Sequence, residues 1–236
     1  MARLSALALA TALAAVTPFV ASNASADPPA PAASAQPPAA SPAETAATVT
    51  KVQAFYNSTT SVQSDFTQEF FVKSHNVRKE SNGTVAFVKP GKMAWTYANP
   101  AGNRVVSDGT TLKVYEAANK QMFEQNVDKS QYPAALSFLT GTGKLDDSFT
   151  FLMYPGASMN FPGGTVLVGT PKQASAAYTK VLFYVDAASN QIRRVLIVDA
   201  QGNRNRFDFV APKVNVPVPD SMFTLTVPPG TQIIKP

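Results

Sequence analysis

Residues 83–109 read GTVAFVKPGKMAWTYANPAGNRVVSDG. Two runs with alternating apolar residues flank the turn Lys89-Pro90-Gly91-Lys92, and a third leads into a second turn, Ser107-Asp108-Gly109. Alternation at period two marks a strand with one buried face. Turn residues between such runs mark antiparallel connections. Met93, Trp95 and Tyr97 share one face of the middle run, and Trp95 is the only tryptophan in the chain. A strand carrying side chains of this size needs a cover, either the protein's own core or a guest. The residues by themselves leave that choice open.

Outward from this stretch the pattern continues. Upstream, residues 62–72 place Val62, Phe66, Phe70 and Val72 on one side and Asp65, Thr67, Glu69 and Lys73 on the other, a long half-buried strand. Residues 44–56 change to helical spacing, with Val49, Val52 and Phe55-Tyr56 three and four residues apart. Downstream, short apolar runs recur between turns through residue 127. Pro133 then suits a first helical turn, Tyr132, Ala135, Leu136 and Leu139 form a stripe, and Gly141 stops it. Further strands are predicted at 149–153, 165–170, 180–186, 191–199 and 204–212, with a last run at 225–227. The total is about eleven strands, sequentially adjacent, with two longer helices, a pattern that suits a barrel or sandwich.

Composition narrows the classes. Charged residues make up only 15% of the 236, and there are fifteen Phe and seven Tyr, which fits a sheet-rich domain. The net charge of +5 is spread along the chain with no run of five Lys or Arg. Nucleic-acid binding calls for a clustered stripe and is not expected, whereas an anionic membrane face or an acidic partner suits a diffuse positive surface. The chain has no cysteine, which excludes disulfides, thiolate metal sites, a Cys nucleophile and a lipidated N-terminus.

Residues 1–26 carry a short basic start, an Ala/Leu-rich stretch and an Ala24-Ser25-Ala26 cleavage signature, and are expected to be a cleaved secretory signal. Residues 27–43, almost all Pro, Ala, Ser and Gln, are expected to form a disordered linker. Residues 44–236 form the expected β domain.

Candidates for chemistry are few. His75 is the sole histidine and lies in a polar turn, without a second imidazole for a metal site. Asp146-Asp147 are adjacent and point apart in an extended segment. Asp108 precedes a glycine between two strands, a hairpin signal before it is a catalytic one. No catalytic residue, metal or cofactor is expected.

A resemblance adds to this reading. GTVAFVKPGKMAW (83–95), then Tyr97, Pro100 and VVSDGTTLKVYE (105–116), resemble the periplasmic outer-membrane lipoprotein carrier family, LolA. VQSDFTQEF (62–70) is similar to the family's first strand and PDSMFTLTVPPGTQII (219–234) to its closing segment. The resemblance spans residues 47–236 and implies an incomplete, half-open antiparallel β-barrel with a helical lid over an apolar cavity. It implies a soluble, monomeric periplasmic chaperone that makes and breaks no bond. The cargo would be the acyl chains of triacylated lipoproteins, received from an inner-membrane ABC transporter complex and delivered to the outer membrane, with a receptor there as a further candidate partner. The companion receptor family, LolB, shares the fold but is itself lipidated on a cysteine, so the missing cysteine favours the carrier.

The family's turn places an Arg before the proline, where it couples lid to sheet. Lys89 stands there in this chain and is the candidate latch. Met93 takes the position associated with ligand entry, and Trp95 matches directly. By parity Phe66, Phe70, Val85 and Phe87 join the candidate cavity lining, and Leu136 and Leu139 the lid. A dry core remains the rival reading for each. The alternative function is a periplasmic binder or sensor of another lipid or amphiphile on the same fold.

Overall fold

The computed structural model describes residues 37–127, 137–141 and 143–235. The first element is a helix, α1 (Pro42–Ser58), which begins two residues earlier than its apolar spacing predicts. Its start is a capping box. The Ser41 hydroxyl accepts from the Glu44 N–H at 3.3 Å, and the Glu44 carboxylate accepts from the Ser41 N–H at 2.9 Å, so two otherwise orphaned donors are satisfied. The Ser41 hydroxyl also donates to the Glu44 carboxylate at 2.7 Å, and this bond, followed by the one from the Ser41 N–H, holds the Glu44 carboxyl below its ordinary pKa. Pro42 fits because the first turn needs no N–H from it. Thr45, Val49, Val52 and Tyr56 form the buried stripe.

Twelve strands follow: β1 (Ser61–Val72), β2 (Val77–Val88), β3 (Lys92–Asn99), β4 (Arg104–Asp108), β5 (Thr111–Glu116), β6 (Gln121–Asn126), β7 (Phe149–Pro155), β8 (Gly164–Pro171), β9 (Lys180–Asp186), β10 (Ile192–Val198), β11 (Arg204–Val214) and β12 (Gln232–Ile234). Among the described residues between β6 and β7 are the helical segments α2 (Ser137–Thr140) and α3 (Leu145–Ser148). All twelve strands belong to one sheet in the order β12-β6-β5-β4-β3-β2-β1-β11-β10-β9-β8-β7. The sheet is open, with β12 and β7 at its edges, and antiparallel apart from the β12–β6 pair.

Two features depart from the sequence expectation. The chain does not run strictly from neighbour to neighbour. After β6 it passes to the opposite edge of the sheet and returns strand by strand until β11 pairs with β1. The run 225–227 is not a strand. Pro228-Pro229 follow it and cannot donate to a ladder, and the closing strand is instead Gln232–Ile234. The helix expected before Gly141 lies in part outside the described residues, and its described end, Ser137–Thr140, is helical.

One face of the sheet and α1 enclose the main core, which runs from Val62 and Phe66 on β1 across to Leu167 and Phe183 on β8 and β9. The other face has two smaller covers. A turn at Asp220–Phe223 lays Phe223 over Ala86, Ala94 and Val106, with Arg104 Nη2 donating to the Met222 carbonyl at 3.0 Å. Met159 and Phe161 cover Val166, Leu182 and Tyr184.

Candidate functional site

The candidate site is built on the parity of β2 and β3. Val85 pairs with Trp95 and Phe87 with Met93 across this hairpin, so all four side chains share the inner face. Phe66 joins them from β1, where it stands opposite Gly83. All five are at most 2% exposed. Trp95 is their centre. Its ring lies 4.8 Å from Phe66, 5.8 Å from Phe87, 5.2 Å from Phe207 and 6.3 Å from Phe209, within the range for favourable aromatic pairs. Its indole Nε1 is buried without an acceptor among the described residues, a cost the surrounding burial must offset.

The cover over this face is the chain itself. Val49, Val52 and Tyr56 of α1 and Leu139 of α2 pack onto the same cluster as the strand residues. A space of about 10 Å³ remains where Phe55, Tyr56, Phe87, Leu139, Ile192 and Phe209 meet, room for a single water sphere at most. Among the described residues, side chains of the chain itself take the place of the expected open apolar cavity. The physical reason is the stripe of α1, whose apolar residues lose water by settling into the curve of the sheet.

Polar contacts tie the helices down at a few points. The Ala40 N–H donates to the Met153 carbonyl on β7 at 2.8 Å. The Leu145 N–H of α3 donates to Gln53 Oε1 of α1 at 2.9 Å. The Ile192 N–H of β10 donates to the Tyr56 hydroxyl at 3.1 Å, and burial pushes that phenol's pKa well up. The fourth contact is the candidate latch: Lys89 Nζ donates to the Tyr56 carbonyl near the C-terminal end of α1. The Lys89 methylenes lie where a side chain on Gly141 would have to go, with its Cδ 2.7 Å from such a Cβ. The Gly91 N–H donates to the Thr140 carbonyl at 2.9 Å. One turn of the β2–β3 hairpin thus touches both α1 and the end of α2.

Burial lowers the Lys89 pKa from its ordinary value. The unfolded chain then binds more protons than the folded one at pH values between the folded pKa and the ordinary one. Lys89 therefore makes stability rise with pH in that window. The buried phenols of Tyr56, Tyr178 and Tyr184, all raised by burial, act in the opposite sense above their ordinary pKa. Urea titrations from pH 8 to 11 should show the Lys89 contribution as the difference between the native chain and Lys89→Met. An unchanged difference across that range would mean the ammonium is not desolvated.

The remaining sequence-predicted residues fall as follows. Leu139 is buried in the cluster, and Leu136 lies outside the described residues. Phe70 has the predicted inward parity but is half-exposed and outside the cluster. Near it the inner face turns polar, with Gln68 bonded to Asn205 at 2.9 Å and Tyr97 bonded to Gln68 at 3.1 Å. Sequence reasoning missed Phe207 and Phe209, although the alternation in residues 206–210 carries them. It also missed Tyr56 as the contact point of the lid. Asp108 is structural. Its carboxylate accepts from the Thr110 and Thr111 N–H groups at 2.8 Å each, and these bonds lower its pKa, that from Thr111 most.

Comparison with known proteins agrees with this geometry. A sequence model of the family described as outer membrane lipoprotein carrier protein LolA matches residues 57–226. The chain is 30% identical to an outer-membrane lipoprotein carrier protein of Bordetella avium over 187 residues, 78% of this chain and 86% of that one. It is 29% identical to a protein of the same description from Cupriavidus pinatubonensis over 198 residues, covering 82% and 90% of the two chains. Among solved structures, an uncharacterized conserved protein from Thermus thermophilus shares the fold, with a TM-score of 0.51 and 13% identity over 82% of this chain and 99% of that one. The open antiparallel sheet, the helix across its apolar face and these matches together show that the chain belongs to the LolA family of outer membrane lipoprotein carrier proteins.

Proposed function

We propose that this protein is a periplasmic carrier that shields the acyl chains of triacylated lipoproteins between the inner and the outer membrane. The observation that carries this reading is the make-up of the interior: a wide aromatic and aliphatic face closed by the apolar stripe of α1. Each buried CH₂ contributes about 0.8 kcal/mol. An acyl chain of ~16 carbons would lose on the order of 13 kcal/mol if left in water. A carrier must offset most of that and still release the chain, which favours an adaptable apolar surface over a rigid one.

Since the interior is filled, uptake requires α1 and α2 to lift from the sheet. The acyl chain then takes over contacts that Val52, Tyr56 and Leu139 make with Phe87 and Phe209. Lys89 acts as the latch: its bond to the Tyr56 carbonyl breaks on opening and re-forms on closure. The donor would be an inner-membrane ABC transporter complex and the acceptor the outer membrane or a receptor on it. The carrier works as a monomer and makes and breaks no covalent bond.

Release assays with spheroplasts test the cargo. The purified protein should bring newly made lipoproteins into the soluble fraction and should bind a fluorescent C16 fatty acid. Fatty-acid binding without lipoprotein release would support the alternative, a carrier or sensor of another amphiphile. Absence of both would overturn the reading altogether.

A further inference from the structure

A second surface lies on the outer face of the sheet, at the end away from the Lys89 turn. Strand register places five residues there in one lateral row. Lys180 on β9 pairs with Val198 on β10, Val198 with Arg204 on β11, Arg204 with Phe71 on β1, and Phe71 with Arg78 on β2. With strands about 4.8 Å apart the row spans roughly 19 Å. Cation and apolar residue alternate along it. The guanidinium carbons of Arg78 and Arg204 lie 4.9 and 4.6 Å from the centroid of the Phe71 ring, so both charges are held in place.

The hairpin that joins β1 to β2 extends the row. Lys73 and Lys79 are exposed, Lys73 lies against Gly202 of the neighbouring β10–β11 turn, and Val77 is 42% exposed. Among the described residues Lys73, Lys79, Lys180 and Arg204 have no ion-pair partner. The carboxylates nearest the row are engaged: Glu69 with Arg78 at 2.8 Å, and Asp199 with the Gln201 and Asn203 N–H groups at 2.9 Å. Glu80 is the exposed acid at this end.

We propose that this row docks the protein on anionic phospholipid bilayers. It offers exposed cations of long reach, two of them seated over the buried Phe71 ring, beside the exposed Val77, an arrangement that suits the anionic headgroups of a bilayer. The inner side of the same rim carries the half-buried Phe70 and Ile197, so a bilayer bound there meets the end of the concave face. The inference is independent of what the interior carries.

Vesicle co-sedimentation tests it. The purified full chain is mixed with vesicles of 30% phosphatidylglycerol in phosphatidylcholine and with pure phosphatidylcholine vesicles. Binding is expected to the first only, and to be lost in 0.5 M NaCl, where charge attraction is screened within about 4 Å. The triple variant K73Q/K180Q/R204Q should bind about 100-fold more weakly, at roughly fivefold per cation. A matched variant at exposed lysines elsewhere, K51Q/K120Q/K213Q, should bind within about threefold of the native protein. The proposal is overturned if the native protein ignores anionic vesicles, including the case in which it binds an acidic protein instead. It is equally overturned if both triple variants lose binding alike, since net charge rather than this row would then be responsible. Unchanged melting of both variants shows that the fold is not the cause.

Discussion

Gly83→Ala is expected to lower the unfolding free energy by about 3 kcal/mol or more, enough to remove a large part of the stability of an ordinary domain. A Cβ at this position would lie 2.0 Å from the Thr96 carbonyl oxygen and 2.9 Å from the Tyr97 Cα. Both are backbone atoms of β3 and cannot swing aside. The β2–β3 register shifts between Asn82 and Gly83, and a glycine inside a strand commonly marks such a close approach. The missing side chain also makes room on the inner face. Phe66 and Tyr97 flank Gly83 from the two neighbouring strands, with ring centroids 5.2 Å apart. Urea unfolding of Gly83→Ala beside the exposed neighbour Thr84→Ala checks this. The threonine variant should stay within about 0.5 kcal/mol of the native chain. A glycine variant equally close to it would show that β2 and β3 separate without cost.

Phe209→Ala is expected to move stability and acyl binding in opposite directions. Phe209 is 6% exposed and packs against Trp95 on the wall of the small remaining space. Its truncation should cost about 3–5 kcal/mol, through lost transfer energy and the void left behind. That void opens where an acyl chain would enter, so a fluorescent C16 fatty acid should bind several-fold more tightly. Saturating ligand should restore part of the lost melting temperature by mass action. If stability falls and fatty-acid affinity stays the same or weakens, the interior is not the acyl site and the carrier reading loses its structural basis. A buried charge at Met93 would be less informative. That side chain is 2% exposed, and an unpaired carboxylate there would unfold the chain before binding could be measured.

Much of the sheet was legible because period two survives burial on one face. The inward positions Phe66, Val85, Phe87, Met93 and Trp95 follow from alternation alone. Phe70 shows where the rule stops. Parity gives the face a residue points to but not how far along the strand the cover extends. The capping box at Ser41 was present in the sequence as Ser-Pro-Ala-Glu and was hidden by the Pro/Ala-rich composition before it. The jump from β6 to the far edge was not legible, since a crossover leaves no periodicity of its own. Whether the face holds a core or a guest was also beyond the pattern. A stripe on α1 that closes the curve looks the same in sequence whether the closure is permanent or reversible.

The placement of Trp95 has a practical side as well. It is the only indole in the chain, and its ring lies against phenylalanines, with no acceptor for its nitrogen among the described residues. Its emission therefore comes from a single, buried position on the inner face of the sheet. Any movement that brings water or a ligand carbonyl to that nitrogen changes the colour and lifetime of this one fluorophore. The protein thus carries a built-in optical gauge of its own opening, readable without a label.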